Sequence, residues 1–141
     1  MADFDEVREQ YHRALETYIL GDPVPVMRLW STRDDVTLAN PIAPPVRGRD
    51  GVREAAERAA LQLRDGEAFS LECIAAYATA DLAYEVNIER SRVKVGGAEE
   101  TAPTALRTTT IFRHEDDGWR IVGRHADPII APGPLESIVR S

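Results

Sequence analysis

Apolar residues recur at three- and four-residue steps along the first third of the chain, a pattern that predicts helices. The first helix is predicted from about Asp3 to Leu20, and Gly21 ends it with a left-handed turn. Asp22-Pro23 then begins a short second helix that ends before Ser31, because aspartate is a good N-cap and proline fits the first turn. The apolar stripe of the first helix consists of Phe4, Val7, Tyr11, Ala14, Leu15 and Tyr18.

Two short extended segments and a third helix follow. Val36–Ala39 is predicted to be a strand, and Val46–Gly48 a second extended piece. Asp50 is predicted to cap the third helix, and Asp65-Gly66 to end it. The alanine-rich stripe of this helix implies close approach to a sheet, and its residues are Val52, Ala55, Ala56, Ala59, Ala60 and Leu63.

Alternation of apolar and polar residues predicts that the second half of the chain is β-structure. In the strand from Leu82, the apolar positions up to Ile88 are predicted to face the interior. Gly96-Gly97 is a signal for a two-residue hairpin, and the tail from Asp127 is predicted to be an irregular arm. The four predicted strands are Phe69–Tyr77, Leu82–Val95, Leu106–Arg113 and Trp119–Ala126.

Helices that precede strands are typical of the α+β class. We therefore predict a cone: three N-terminal helices packed on the concave face of a strongly bent, mostly antiparallel sheet. Residues 1–128 form the predicted single domain and residues 129–141 a proline-containing arm. The long strands carry apolar residues, Phe112 and Val122 among them, on faces that the helices cannot cover. We expect a homodimer through this outer face, because the patch would otherwise lie in water.

Composition limits the classes of partner. The 24 acidic and 17 basic residues give a net charge of −7 over 141 residues, which disfavours binding to nucleic acid. No apolar run approaches the roughly 20 residues of a membrane span. The acidic N-terminus lacks the basic and apolar regions of a signal peptide, so the expected location is the cytosol. Cys73 is the single cysteine, which excludes an intrachain disulfide and a cysteine zinc site.

Sequence motifs indicate no cofactor. The three histidines are His12, His114 and His125, and none has the spacing of a metal motif, so no metal site is predicted. The chain also lacks the glycine-rich nucleotide loops and the Gly-x-Ser-x-Gly motif of serine hydrolases.

Three passages resemble a known superfamily: Gly21-Asp22, Asp34–Pro41 with Arg47–Val52, and Gly118–Asp127. They resemble the SnoaL-like and ketosteroid-isomerase-like proteins, whose fold is that of nuclear transport factor 2, over about residues 4 to 128. The last passage is also similar to the end of the association domain of calcium/calmodulin-dependent kinase II, where a Gly-x-Trp strand ends in a histidine. The resemblance implies the cone fold, but this fold serves isomerases, dehydratases, cyclases, hydrolases and non-catalytic assembly modules.

Two positions depart from the ketosteroid isomerases. Asn40 stands where those enzymes have the aspartate general base, and an amide cannot accept a proton at neutral pH. Ala14 stands where they have the oxyanion tyrosine, although Tyr11 and Tyr18 lie one turn to either side. Steroid isomerase activity therefore does not carry over.

His125 and Asp127 lie two residues apart on the last strand, so they share a face. They could form an acid–base pair inside the cone, or His125 could be a strand-end histidine without chemistry. Arg107 would bind a carboxylate or enolate oxygen if its face lines the cavity, and on the outer face it would pair with Glu85, Glu89 or a dimer neighbour. Tyr84 is predicted to lie inside, as core or as pocket wall.

A single cavity is the predicted site. Asn40, His125 and Asp127 are its candidate catalytic residues, and its candidate ligand-binding residues are Tyr18, Trp30, Tyr84 and Arg107. The predicted function is binding of a small apolar molecule, with a cofactor-independent isomerase, cyclase or dehydratase acting on a small carbonyl compound as one form of it. The alternative is a non-catalytic dimeric module for ligand binding or assembly.

Overall fold

The computed structural model describes residues 3–139. Within them the chain forms three α-helices, six strands and one short 3₁₀ turn, Leu135–Ile138, after the last strand. The helices are α1 (Phe4–Tyr18), α2 (Val24–Met27) and α3 (Arg49–Ala60). The strands are β1 (Thr37–Ala39), β2 (Val46–Arg47), β3 (Leu63–Ala78), β4 (Leu82–Val95), β5 (Ala102–Glu115) and β6 (Gly118–Asp127).

The strands form one sheet with the order β2-β1-β6-β5-β4-β3. Only β1 and β6 pair in parallel among the described strands, and the other neighbours are antiparallel. The sheet is curved and does not close on itself, so the predicted α+β cone is confirmed. We call the face that packs against α1 and α3 the inner face, and the opposite one the outer face.

The core lies between the helices and the inner face. Helix α1 begins at Asp3, whose carboxylate accepts a hydrogen bond from the backbone N–H of Glu6 at 2.8 Å. The buried side chains that join the layers come from all three α-helices and from strands inside the sheet. They include Val7, Tyr11, Leu15, Val26, Trp30, Leu38, Val52, Ala56, Phe112 and Ile121. Phe112, predicted for a face that the helices cannot cover, is therefore a core residue.

The third helix begins differently from the prediction. Gly48, at φ 88°, is the N-cap and offers no side chain, and the carboxylate of Asp34 accepts the N–H of Arg49 at 3.1 Å instead. Asp50 lies inside the first turn, where it contacts Arg53 at 3.2 Å. The prediction of Asp50 as N-cap is wrong, because a residue from a distant segment supplies the capping oxygen.

Strand β3 begins earlier than predicted and is irregular. Asp65 and Gly66 lie within it rather than at a helix end, and register shifts against β4 flank Glu67. Asp65 and Ala68 have positive φ values of 55° and 54°, as residues at β-bulges can. The turn after β4 is also longer than the predicted two-residue hairpin, since β5 begins at Ala102.

The direction of the β4 side chains reverses the prediction. The residues predicted to face inward, Leu82 to Ile88 in alternation, lie on the outer face. The inner face instead carries the other set, Ala83, Glu85, Asn87 and Glu89, all of them buried. Charged side chains occupy the interior because partners on α1 and β6 neutralise them, as described next.

Candidate functional site on the inner face

Glu85 lies on the inner face with its side chain fully buried. The Nε of Arg8 donates to Glu85 Oε2 at 2.9 Å, and His12 Nε2 lies 2.9 Å from Oε1. Arg8 and His12 are four residues apart on α1, so both point to the same strand. Burial opposes ionisation of Glu85, but the hydrogen bonds from His12 and Arg8 outweigh it and lower the pKa of this carboxyl.

Glu89 is the second buried carboxylate of β4. Arg124, on β6, donates to its two oxygens at 2.8 Å each, in a bidentate pair. The same guanidinium donates to the hydroxyl of Tyr11 at 2.6 Å, and that hydroxyl lies 3.1 Å from Thr110 Oγ1. Burial raises the pKa of Tyr11, and Arg124 stays protonated because Glu89 outweighs the cost of its burial.

Asn87 lies between Glu85 and Glu89 on the same face of β4, two residues from each. Its side chain is 1% exposed, and neither Nδ2 nor Oδ1 has a hydrogen-bond partner among the described residues. The hydroxyl of its cross-strand neighbour, Thr108, donates to Glu89 Oε2 at 3.1 Å instead. An unsatisfied buried polar group costs about 1–3 kcal/mol, and most such groups have a partner, so this amide needs an explanation.

Asn87 has a second cross-strand neighbour, Cys73, which lies on the edge strand β3. It is exposed, and Arg8 Nη2 donates to its sulfur at 3.4 Å. The sequence predicts a small buried hydrophobe here, which is wrong because most of β3 from Glu72 onward lies outside the cover of the helices. The inner face therefore meets solvent at Cys73.

Two of the sequence-predicted site residues lie on the inner side. Trp30 is buried in the core, and Tyr18 donates its hydroxyl to the backbone oxygen of Ala56 at 2.6 Å. Burial raises the pKa of Tyr18 to about 12. Asn40 follows the end of β1 and is partly exposed.

The other four lie on the outer face. Tyr84 is 40% exposed, and the side chain of His125 is 71% exposed. Arg107 donates to Asp127 at 2.6 Å, and His125 lies 4.0 Å from the same carboxylate. Burial opposes the ionisation of Asp127, but the hydrogen bond from Arg107 prevails and lowers its pKa.

The predicted convergence of these residues on one cavity is therefore wrong. Strands β4, β5 and β6 each present the opposite set of alternate residues to the helices, so Tyr84, Arg107 and His125 point away from Tyr18 and Trp30. Arg107 takes the second of its two predicted placements, the outer face, but its partner is Asp127. The predicted pairing with Glu85 or Glu89 is wrong, because both carboxylates lie on the inner face. Whether any of these outer residues takes part in chemistry stays a prediction.

Two open depressions lie elsewhere on the surface. One is lined by Arg33, Asp34, Asp35, Arg47 and Gly48, and the other by residues of α1 and of the segment 25–29. Neither is lined by the polar residues of the inner face. Within residues 3–139 no cluster of three or more histidine, cysteine or acidic side chains has a geometry that would hold a metal ion. The same residues contain no helix with the length and apolarity needed to cross a bilayer.

The sequence profile of the SnoaL-like domain matches residues 7–131, which is most of the chain. The chain belongs to the SnoaL-like family. The match begins in α1 and continues beyond β6. The SnoaL-like domain therefore includes the whole polar cluster of the inner face: Arg8, His12, Glu85, Asn87, Glu89 and Arg124. No curated protein is similar enough in sequence to count as a match.

Solved structures share the fold of this SnoaL-like domain. A proposed association domain of calcium/calmodulin-dependent protein kinase type II from Thiobacillus denitrificans has a TM-score of 0.72 and 22% identity, over 92% of this chain and 98% of that one. A proposed dehydratase of the nuclear transport factor 2-like family from Streptomyces avermitilis has 0.72 and 21%, over 90% and 94%. A ketosteroid isomerase-like protein from Erwinia carotovora atroseptica has 0.73 and 17%, over 90% and 94%. At these identities the similarity shows the fold alone.

The hydrophobic pattern of the sequence does not predict one polar cluster made of Arg8, His12, Glu85, Asn87, Glu89 and Arg124. One signal was available. Arg8 and His12 lie four apart on a helix, and Glu85 and Glu89 alternate on a strand, so opposite charges repeat on two elements that the fold packs together. The hydrophobic pattern favours the opposite orientation of β4. Its more hydrophobic face, which would be expected inside, consists of Leu82, Tyr84, Val86 and Ile88.

Proposed function

We propose that this SnoaL-like protein binds a small carbonyl compound at the inner face and acts on it as an enzyme that needs no cofactor, with His12 and Glu85 as the acid–base pair. Isomerisation, cyclisation and dehydration are reactions that one positioned acid–base pair can support. The observation that carries the proposal is the 2.9 Å contact of His12 with a fully buried carboxylate.

The chemistry follows from the state of Glu85. A carboxylate only accepts hydrogen bonds, so the ring nitrogen that faces it, Nε2, carries the proton. In neutral His12 the lone pair then lies on Nδ1, which can take a proton from a substrate and return it at another atom. Arg8 keeps Glu85 ionised, which stabilises the imidazolium that forms between the two steps.

Matched histidine variants test this assignment. Candidate carbonyl metabolites are first screened by thermal shift, since a ligand at a hundredfold excess over its Kd stabilises the fold by about 2.7 kcal/mol. Turnover of the hits is then compared in wild type, His12→Gln and His125→Gln. We expect kcat to fall by a factor of about 10²–10⁴ in His12→Gln and to stay within twofold in His125→Gln.

Other outcomes are equally informative. Loss of kcat only in His125→Gln would favour the alternative acid–base pair of His125 and Asp127. Asn40 directly follows Ala39, the residue of β1 that pairs with His125, so it could assist that pair. Turnover that survives both substitutions would contradict acid–base catalysis by either histidine.

A second candidate function is a non-catalytic dimeric module, and the apolar outer face favours it. Tyr84 and Ile111 are cross-strand neighbours there and are 40% and 42% exposed, with Leu82 and Tyr77 beside them. We propose that a second copy of the chain covers this face, since large exposed apolar patches mark interaction sites. The same dimer is compatible with catalysis, so turnover distinguishes the two functions.

A further inference from the structure

The unsatisfied amide of Asn87 specifies more about the ligand. We propose that the inner face binds an uncharged molecule with a hydrogen-bond acceptor and a donor side by side, as in a carboxamide or lactam, and that the side chain of Asn87 pairs with both groups. This inference rests on the inner face being the site proposed above, and it names the class of ligand.

The charges of the cluster are already matched. Each buried carboxylate faces a guanidinium: Glu85 is paired with Arg8 and Glu89 with Arg124, at 2.8 to 2.9 Å. A charged ligand that entered this region would lose its hydration without gaining an unpaired counter-charge. An uncharged molecule avoids that cost.

The polar side chains around Asn87 already have other hydrogen-bond partners. Thr108 donates to Glu89, and Thr110 contacts the hydroxyl of Tyr11. The amide of Asn87 therefore retains two donor hydrogens and an acceptor oxygen, all of them buried. A primary amide or a lactam satisfies the oxygen with its N–H and one of the hydrogens with its carbonyl, in a single planar pair.

The spacing along β4 connects this contact with the proposed chemistry. Asn87 and Glu85 are two residues apart on one face, which places their Cα atoms about 7 Å apart. A ligand held at Asn87 can therefore extend to His12. Cys73, the exposed cross-strand neighbour of Asn87, lies where such a ligand would enter from solvent.

Small probes in isosteric pairs test the inference. Acetamide and propionamide are compared with acetate and propionate, and 2-pyrrolidinone is added as a lactam. The chain has two asparagines and two glutamines, so the side-chain amide signals in a ¹⁵N-correlated NMR spectrum are few and assignable. We expect the amides to shift the Asn87 signal saturably in the wild type, with a Kd at least tenfold below that of the matching carboxylate.

Two variants complete the experiment. Asn87→Leu keeps the approximate size and removes both hydrogen-bonding groups, and we expect it to weaken amide binding at least tenfold. Gln62→Leu, at an exposed amide outside the cluster, should bind as the wild type does. Protection of Cys73 from N-ethylmaleimide by 2-pyrrolidinone in the wild type provides a reading that requires no variant, should Asn87→Leu not fold.

The outcomes separate this inference from the proposed function. Carboxylates that bind as tightly as amides, amides that bind equally to Asn87→Leu, or the absence of any saturable shift would each overturn it. Amide binding together with turnover that is unaffected by His12→Gln would support it and contradict the acid–base proposal. Turnover of a carboxylate that depends on His12 would do the reverse.

Discussion

Arg124 on β6 reaches across β5 and holds Glu89 on β4 with two hydrogen bonds of 2.8 Å. The pair links strands that are not neighbours and also binds Tyr11 of α1, so it connects the sheet with its helical cover. It serves as a structural centre beside the amide of Asn87 and the His12–Glu85 pair.

Breaking this pair should be costly. Arg124→Met removes the counter-charge of the buried Glu89 and leaves it only the hydrogen bond from Thr108, so we expect the free energy of unfolding to fall by about 3–5 kcal/mol. Arg107→Met breaks the arginine–aspartate pair on the outer face, where Arg107 is more than half exposed, and should cost at most about 1 kcal/mol. Urea denaturation at pH 7 measures both, and equal losses would contradict the structural role of Arg124.

Acid should destabilise the fold through Glu85. Its pKa is lowered in the folded protein, so its contribution is fully present above the unfolded value of about 4.3 and is lost as the pH falls through the folded value. We expect the urea midpoint to decrease below about pH 5, and Glu85→Gln to decrease less steeply over the same interval. Glu72→Gln is the control, because Glu72 forms an exposed pair with Arg90 and its loss should leave the acid slope unchanged.

The outer face should govern association. Tyr84→Glu or Ile111→Glu places a charge in the proposed interface, so we expect sedimentation equilibrium at micromolar concentration to show a 15.6 kDa monomer in place of a dimer. Leu61→Glu is the matched control, since Leu61 is 83% exposed just after α3, away from this face. A wild-type protein that sediments as a monomer would contradict the dimer.

Gly66 should tolerate no side chain. A Cβ at this position would lie 2.5 Å from the backbone oxygen of Ile19, which cannot move without disturbing the end of α1. We expect Gly66→Ala to lower the free energy of unfolding by about 1–3 kcal/mol. A Cβ at Gly97 would meet no atom within 4 Å, so Gly97→Ala should change stability by less than about 0.5 kcal/mol. Thermal unfolding of the two variants gives the comparison.

Local signals predicted most of the architecture. The three-to-four-residue repeat located α1 and α3 within a few residues, and the alternation located β4 from Leu82 to Val95. Capping was less predictable, because the oxygen at the start of α3 comes from Asp34, fifteen residues earlier. Such a contact depends on the tertiary arrangement and leaves no local pattern.

The sequence predicts the wrong face of the sheet to lie against the helices. The predicted site residues on these strands therefore lie on the outer face. Alternation states that two faces differ, but it does not say which face meets the helices. Hydrophobicity favours the Tyr84 face of β4 for the interior, whereas ion pairs with Arg8 and Arg124 reverse that preference. The same limit applies to His125. The sequence correctly places it near the end of β6, but its side chain points to the outer face and not into the cone.

During synthesis on the ribosome, several early segments of the chain must wait for partners that are made last. Tyr11 and Arg124 are hydrogen-bonded in the folded protein although 113 positions separate them. Strand β1 pairs with β6, which is synthesised after the other five strands. At about 5–20 residues per second, the apolar stripe of α1 stays without its permanent cover for a time on the order of 10 s. The hairpins β3–β4 and β4–β5 can form earlier, because their partners are close in sequence. The packing of α1 and β1 against the sheet therefore cannot be completed until β6 has left the exit tunnel.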